Sequence, residues 1–164
     1  MQNKYSHSEI NSFDITVITA GMVGGMMEIF WVTIYSSLSS VSATNVAREI
    51  SVTLLPFTEN TYYAPILGIL IHLILSLILA ISFNAIILKT AVHQFGDRCI
   101  ILCSFTTLAI VWVVNFFVVL PLLNPSFISL MPYKVTLISK LLFGLAMGWV
   151  FIKKGSYKRT VLSN

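Results

Sequence analysis

Charged side chains are scarce in this chain. Ten Lys and Arg and six Asp and Glu are spread over 164 residues. That is 10% of the sequence, where a soluble domain carries about 25%. A surface that poor in charge does not keep a globular chain of this size in water. Two cysteines exclude a disulfide-stapled scaffold, and eight glycines with five prolines exclude a collagen-like or low-complexity chain. No phosphate-binding glycine loop, serine elbow, H-E-x-x-H helix or c-type haem attachment motif occurs. The chain is therefore read as a non-enzyme without a cofactor.

What is there in quantity is apolar: 57% of residues are hydrophobic. They gather into four runs, about 15–35, 65–88, 99–120 and 135–152. Each approaches or exceeds the roughly 20 residues needed to cross about 30 Å of hydrocarbon as a helix. None alternates with period two, which argues against barrel strands. The expectation is an all-α, polytopic membrane protein, one domain over 1–164 built as a four-transmembrane-helix bundle.

Basic residues set the expected orientation. Lys153, Lys154, Lys158 and Arg159 follow the last span, and Lys89 and Arg98 flank the second connection. The other two connections hold only Arg48 and Lys134. The positive-inside rule then puts both termini in the cytoplasm. This asymmetry accounts for the net charge of +4 without any nucleic-acid partner. Lysines beside anionic lipid suffice. Val41-Ser42-Ala43 looks like a cleavage site, but the apolar stretch before it is longer than a signal-peptide core. The first span is therefore expected to be retained.

Within the first outer connection, Ala43, Val46, Ala47, Ile50 and Leu54 fall at i, i+3, i+4 spacing, with Thr44, Asn45, Arg48 and Ser51 opposite. This predicts a short amphipathic helix, on the outer membrane surface or packed over the bundle, ended by Pro56. Pro121, Pro125 and Pro132 predict an irregular third connection. Both outer connections open with Leu-Pro and close with Pro and Tyr, as a parallel duplication of one hairpin would leave them.

Small residues mark the packing faces. Gly21 and Gly25 form a GxxxG in the first span, and Gly144 and Gly148 another in the fourth. Gly68, His72, Ser76, Ala80 and Asn84 stand at every fourth position of the second. Such stripes let helix backbones approach where lipid supplies no hydrophobic drive between spans.

The conspicuous residue is Lys140, an ionisable group inside the fourth run. Ionisable side chains within a span usually face the bundle and have partners. Counted down from the outer ends at about 1.5 Å per residue, Glu28, His72, Asn115 and Lys140 fall in one layer, roughly 8–12 Å deep. Each span contributes one of them, on or beside a small-residue face. The expectation is a buried polar cluster in which Glu28 holds Lys140 and His72 and Asn115 complete the set. Structurally this is a clamp on helix register, or Lys140 simply snorkels to the nearby outer interface; functionally it is a site for a proton, an ion or a small polar ligand. Met26 or Met27 beside Glu28 and His72 have donors that suit copper, but a neighbouring ammonium disfavours a cation, so no metal is expected. Cys99 and Cys103, at i, i+4 on the cytoplasmic side, read as packing residues and His93 as a solvated loop residue.

Glu28 after a glycine-rich start, Pro65…His72 opening the second span, and Asn115-Phe116-Phe117…Pro121…Asn124-Pro125 carry a resemblance. Together they resemble a family of small four-span bacterial inner-membrane proteins to which no activity is attached. The likeness implies a bacterial inner membrane and no site. The functional expectation is an accessory or structural subunit of a larger membrane complex, its partners being the lipid bilayer and other membrane subunits. The alternative is a small transporter or proton- or ion-linked carrier built around the cluster.

Overall fold

The structure, a computed structural model, describes the backbone of residues 6–88 and 99–162 and the side chains of 15–87 and 99–154. The 89–98 connection with Lys89, His93 and Arg98, and the side chains of Lys158 and Arg159, lie outside the described residues. Among the described residues the chain is helical and has no strand.

Helix α1 runs Ser6–Leu38 and α2 runs Ala43–Leu54. A 3-10 turn, Pro56–Thr58, leads on toward α3, Ala64–Ser82, which continues as a wider π turn, Phe83–Leu88. Helix α4 runs Cys99–Val114, widens into a π turn over Asn115–Val119 and closes with Leu120–Leu123. A short α5, Pro125–Leu130, precedes α6, Tyr133–Leu162. Among the described residues, four stretches are long and apolar enough to cross a membrane: Ile15–Leu38, Ala64–Ile87, Cys99–Leu123 and Tyr133–Lys154. At 22–25 residues each, they measure about 33–38 Å. The first, third and fourth run two or three residues beyond the ends read from the sequence.

The third connection is more regular than its prolines imply. Leu120 donates its amide to the Asn115 carbonyl, five residues back. This widened turn shifts the hydrogen-bond register just before Pro121, so the proline, which has no amide to offer, is carried inside the helix. Pro125 stands at the first position of α5 behind the Asn124 cap, where a missing amide costs nothing. The Pro132 carbonyl accepts from Val135 and Thr136 as α6 begins.

Packing follows the small residues. Helices α1 and α6 form the central pair; α3 flanks α1 and α4 flanks α6. A Cβ on Gly25 would stand 2.7 Å from Ser76 Oγ, and one on Gly21 3.0 Å from the Ser76 carbonyl. On the other side, a Cβ on Gly148 would stand 2.5 Å from Ser104 Oγ, and one on Gly144 3.0 Å from the Ser104 carbonyl. The glycines thus sit on the two central helices and the serines on the two outer ones. A parallel duplication would place glycines on α1 and α4, and α4 has none. The sequence hint of a repeated hairpin therefore finds no counterpart in the packing.

The dry core lies toward one end of the bundle. Val17, Ala80, Phe83, Ile100, Met147 and Phe151 are buried there, with the Phe83 and Phe151 rings 5.9 Å apart. It is at this end that the Phe83–Leu88 turn meets α4; elsewhere α3 and α4 stay apart. At the opposite end α2 bridges the gap. It packs on α3 so closely that a side chain on Gly68 would collide with the Ala47 backbone. Val46, Ala47 and Ser51 are buried beneath it, so α2 packs over the bundle. Asn124 ties it to the α4–α5 corner, donating to Glu49 Oε2 at 2.8 Å and to Thr53 Oγ1 at 2.9 Å.

Candidate functional site

Glu28 reaches from α1 into the space between the helices, and its residue is only 7% exposed. Lys140, on α6, grips both carboxylate oxygens, at 2.7 Å to Oε1 and 2.9 Å to Oε2. The chain separation of 112 residues makes this a contact of the fold and not of any local turn. The Lys140 ammonium also lies 5.9 Å from the centre of the Phe143 ring, close enough for a weak cation–π attraction. His72, on α3, brings Nε2 to 3.6 Å from Glu28 Oε2. That is an electrostatic neighbour and too long for a hydrogen bond.

Neighbouring hydrogen bonds fix these helices. Trp31 Nε1 donates to the Val135 carbonyl at 3.1 Å, joining α1 to α6 close to the ion pair. Trp112 Nε1 donates to Thr136 Oγ1 at 3.0 Å, joining α4 to α6. Ser76 Oγ returns its proton to the His72 carbonyl at 2.8 Å, which frees no group for the cluster but lets Gly25 pack on its side chain.

Of the four residues placed in one layer by counting, the structure brings three into direct relation. Asn115 is the exception. It lines the same cavity, but among the described residues no hydrogen bond links it to Glu28, His72 or Lys140. The cause is the splay of α4 from α3, with Asn115 opening the π turn of the receding helix. Ser139 was not foreseen, because a serine beside a lysine carries no signal. It is 2% exposed and adjoins the Glu28 carboxylate. Its hydroxyl nevertheless makes no hydrogen bond of good geometry, and neither does buried His72 Nε2.

The ion pair is not sealed in. It forms one wall of a cavity of about 770 Å³ between α3 and α4, roofed by Val46, Ala47 and Ile50 of α2. This volume falls within the range of about 300–1,000 Å³ usual for small-molecule sites. The remaining walls are mostly aliphatic, among them Leu75 and Ile78 of α3 and Ile110 and Val114 of α4. Polar groups therefore converge at one side of an apolar chamber. A second, smaller hollow of about 470 Å³ lies between α2 and α5, lined by Asn45, Arg48, Glu49, Ser126 and Ser129.

Among the described residues no three His, Cys, Asp or Glu side chains gather as metal ligands. Cys99 and Cys103 form no disulfide and are half-buried. The chain matches no family model, no curated protein and no solved structure.

Proposed function

We propose that this chain is a multi-pass protein of the bacterial inner membrane, with both termini cytoplasmic, that works as a small non-enzymatic carrier. It takes its ligand against the wall formed by Glu28, His72 and Lys140. The observation that supports this reading is the exposure of a buried ion pair to a cavity. A clamp that served only to fix helix register would be enclosed by apolar side chains, as the level of Met147 and Phe151 is. The apolar outer faces support the membrane setting: Ile66 of α3 is 64% exposed and Leu102 of α4 68%. Single apolar side chains are common on any surface, but continuous apolar faces on four long helices need lipid.

Accessibility tests the carrier reading. In a Cys99→Ala/Cys103→Ala background, Ser139→Cys reconstituted in liposomes should react with a membrane-permeant maleimide. Met147→Cys, inside the packing and away from the cavity, should stay unreactive. Equal protection of both positions would mean a sealed clamp and end the reading. Proton flux through proteoliposomes, lost in Glu28→Gln, would mark the carrier as proton-linked.

One observation favours a second reading, that of an accessory subunit in a larger membrane complex. Helices α3 and α4 hardly meet, and Ile78 and Ile110 turn toward the open gap. A partner's transmembrane helix would complete the bundle there. Extraction in mild detergent distinguishes the two: a stoichiometric partner supports the subunit, and a monodisperse particle of this chain alone supports the carrier.

A further inference from the structure

The cavity's chemistry is uneven in a way that selects a ligand. Its polar wall is already charge-balanced, because the Glu28 carboxylate is spent on the Lys140 ammonium through two contacts. A second carboxylate brought here would have to displace Glu28, and a second ammonium would have to displace Lys140. Either leaves a charge uncompensated in a poorly solvated place, which is costly. What the wall lacks is a neutral hydrogen-bonding partner. Ser139 Oγ and His72 Nε2 come from different helices, both adjoin Glu28, and both are buried without a hydrogen bond of good geometry. A hydroxyl offers one donor and two acceptor positions, so it can donate to His72 Nε2, whose ring turns its other nitrogen to the Gly25 backbone, and accept from Ser139.

The rest of the chamber fits a hydrocarbon chain. Leu75, Ile78, Ile110 and Val114 line it and are 46–59% exposed, so the walls run out between α3 and α4 to the protein's apolar exterior. Such an opening admits a ligand sideways from the bilayer, chain and head together.

We propose that the cavity binds a neutral, hydroxyl-headed single-chain lipid. The hydroxyl sits between Ser139 Oγ and His72 Nε2, and the chain leaves between α3 and α4. This rests on the carrier reading and names the class of its ligand.

Native mass spectrometry of the full chain in lauryldimethylamine oxide, a detergent without hydroxyl groups, tests it, with monooleoylglycerol as the probe and oleate and oleylamine as charged analogues of equal chain length. The expected result is one monooleoylglycerol held per chain, at least tenfold more tightly than either analogue. Ser139→Ala should lower that affinity at least fivefold while helical content and melting temperature stay unchanged. Ile78→Trp narrows the opening without touching the polar wall and should weaken binding as well. Equal retention of the three amphiphiles, or Ser139→Ala binding like the wild type, overturns the proposal. Preferential retention of oleate or oleylamine also overturns it, while leaving the carrier reading standing. A folded wild type that holds none of the three overturns the proposal, and the carrier reading then stands or falls on the maleimide test.

Discussion

The Glu28–Lys140 pair should reveal itself as a coupling energy. At an effective dielectric of about 20, opposite charges 4 Å apart attract by about 4 kcal/mol, and burial of both takes back part of that gain. Here the side chains are 10% and 17% exposed and the contacts are 2.7 and 2.9 Å, so neither charge has much water to fall back on. Glu28→Gln should cost about 3 kcal/mol, because Lys140 then has only an amide oxygen to face. Lys140→Met should cost somewhat more, since it leaves the carboxylate with His72 at 3.6 Å. The double variant strands no charge and should cost about 3 kcal/mol instead of the sum, an interaction term of about 3 kcal/mol. Unfolding in mixed micelles by added dodecyl sulfate, followed by helical circular dichroism, gives all four corners of the cycle. If the two single costs add to within about 0.5 kcal/mol, the charges do not depend on each other and the reasoning fails.

Three further outcomes are expected. Gly68→Leu should drive α2 off α3, since any side chain there strikes the Ala47 backbone; a cysteine at position 47 should then label readily, and unchanged protection would refute the close contact. Asn124→Ala removes the donor to Glu49 and Thr53 and should cost about 1–2 kcal/mol, with faster amide exchange confined to α2 and α5. Protection in α2 equal to the wild type would show that other contacts hold it. A cysteine at position 59 should label from outside the cell and one at 158 only from the cytoplasm; external labelling of 158 would reverse the orientation.

Much of this architecture was legible because apolar run length and helix rise are nearly sufficient to place four helices. Glu28, His72 and Lys140 could be found for a related reason: depth along a helix is a count of residues. Azimuth and tilt are not. Asn115 lies at the right depth but on a helix that leans away from α3, and leaning depends on which small residues meet across the bundle. Gly144 and Gly148 pull α4 onto α6, yet nothing in either stripe says that α3 and α4 will be left apart. The cavity is a property of that gap and so had no signature in any single segment. Pro121 misled for a different reason: a helix stop is the usual meaning of proline, and the π turn that accommodates it leaves no periodicity to read.

The central pair of this bundle consists of its first and last long helices, and that ordering bears on biogenesis. A ribosome adds about 5–20 residues per second, so about 6–22 s separate the synthesis of Glu28 from that of Lys140, 112 residues later. During that interval the carboxylate has no ammonium to meet, and α1 cannot settle beside a helix that has yet to be made. His72 emerges much sooner and stands 3.6 Å from the same carboxylate in the finished protein. In the nascent chain it is the natural interim companion for Glu28, holding α1 and α3 as a hairpin through the Gly25–Ser76 contact until α6 arrives. Truncation before α6 should then leave three spans in which the carboxylate has His72 but no Lys140, a shortfall a membrane quality-control protease can recognise, and Glu28→Gln should lengthen that fragment's lifetime.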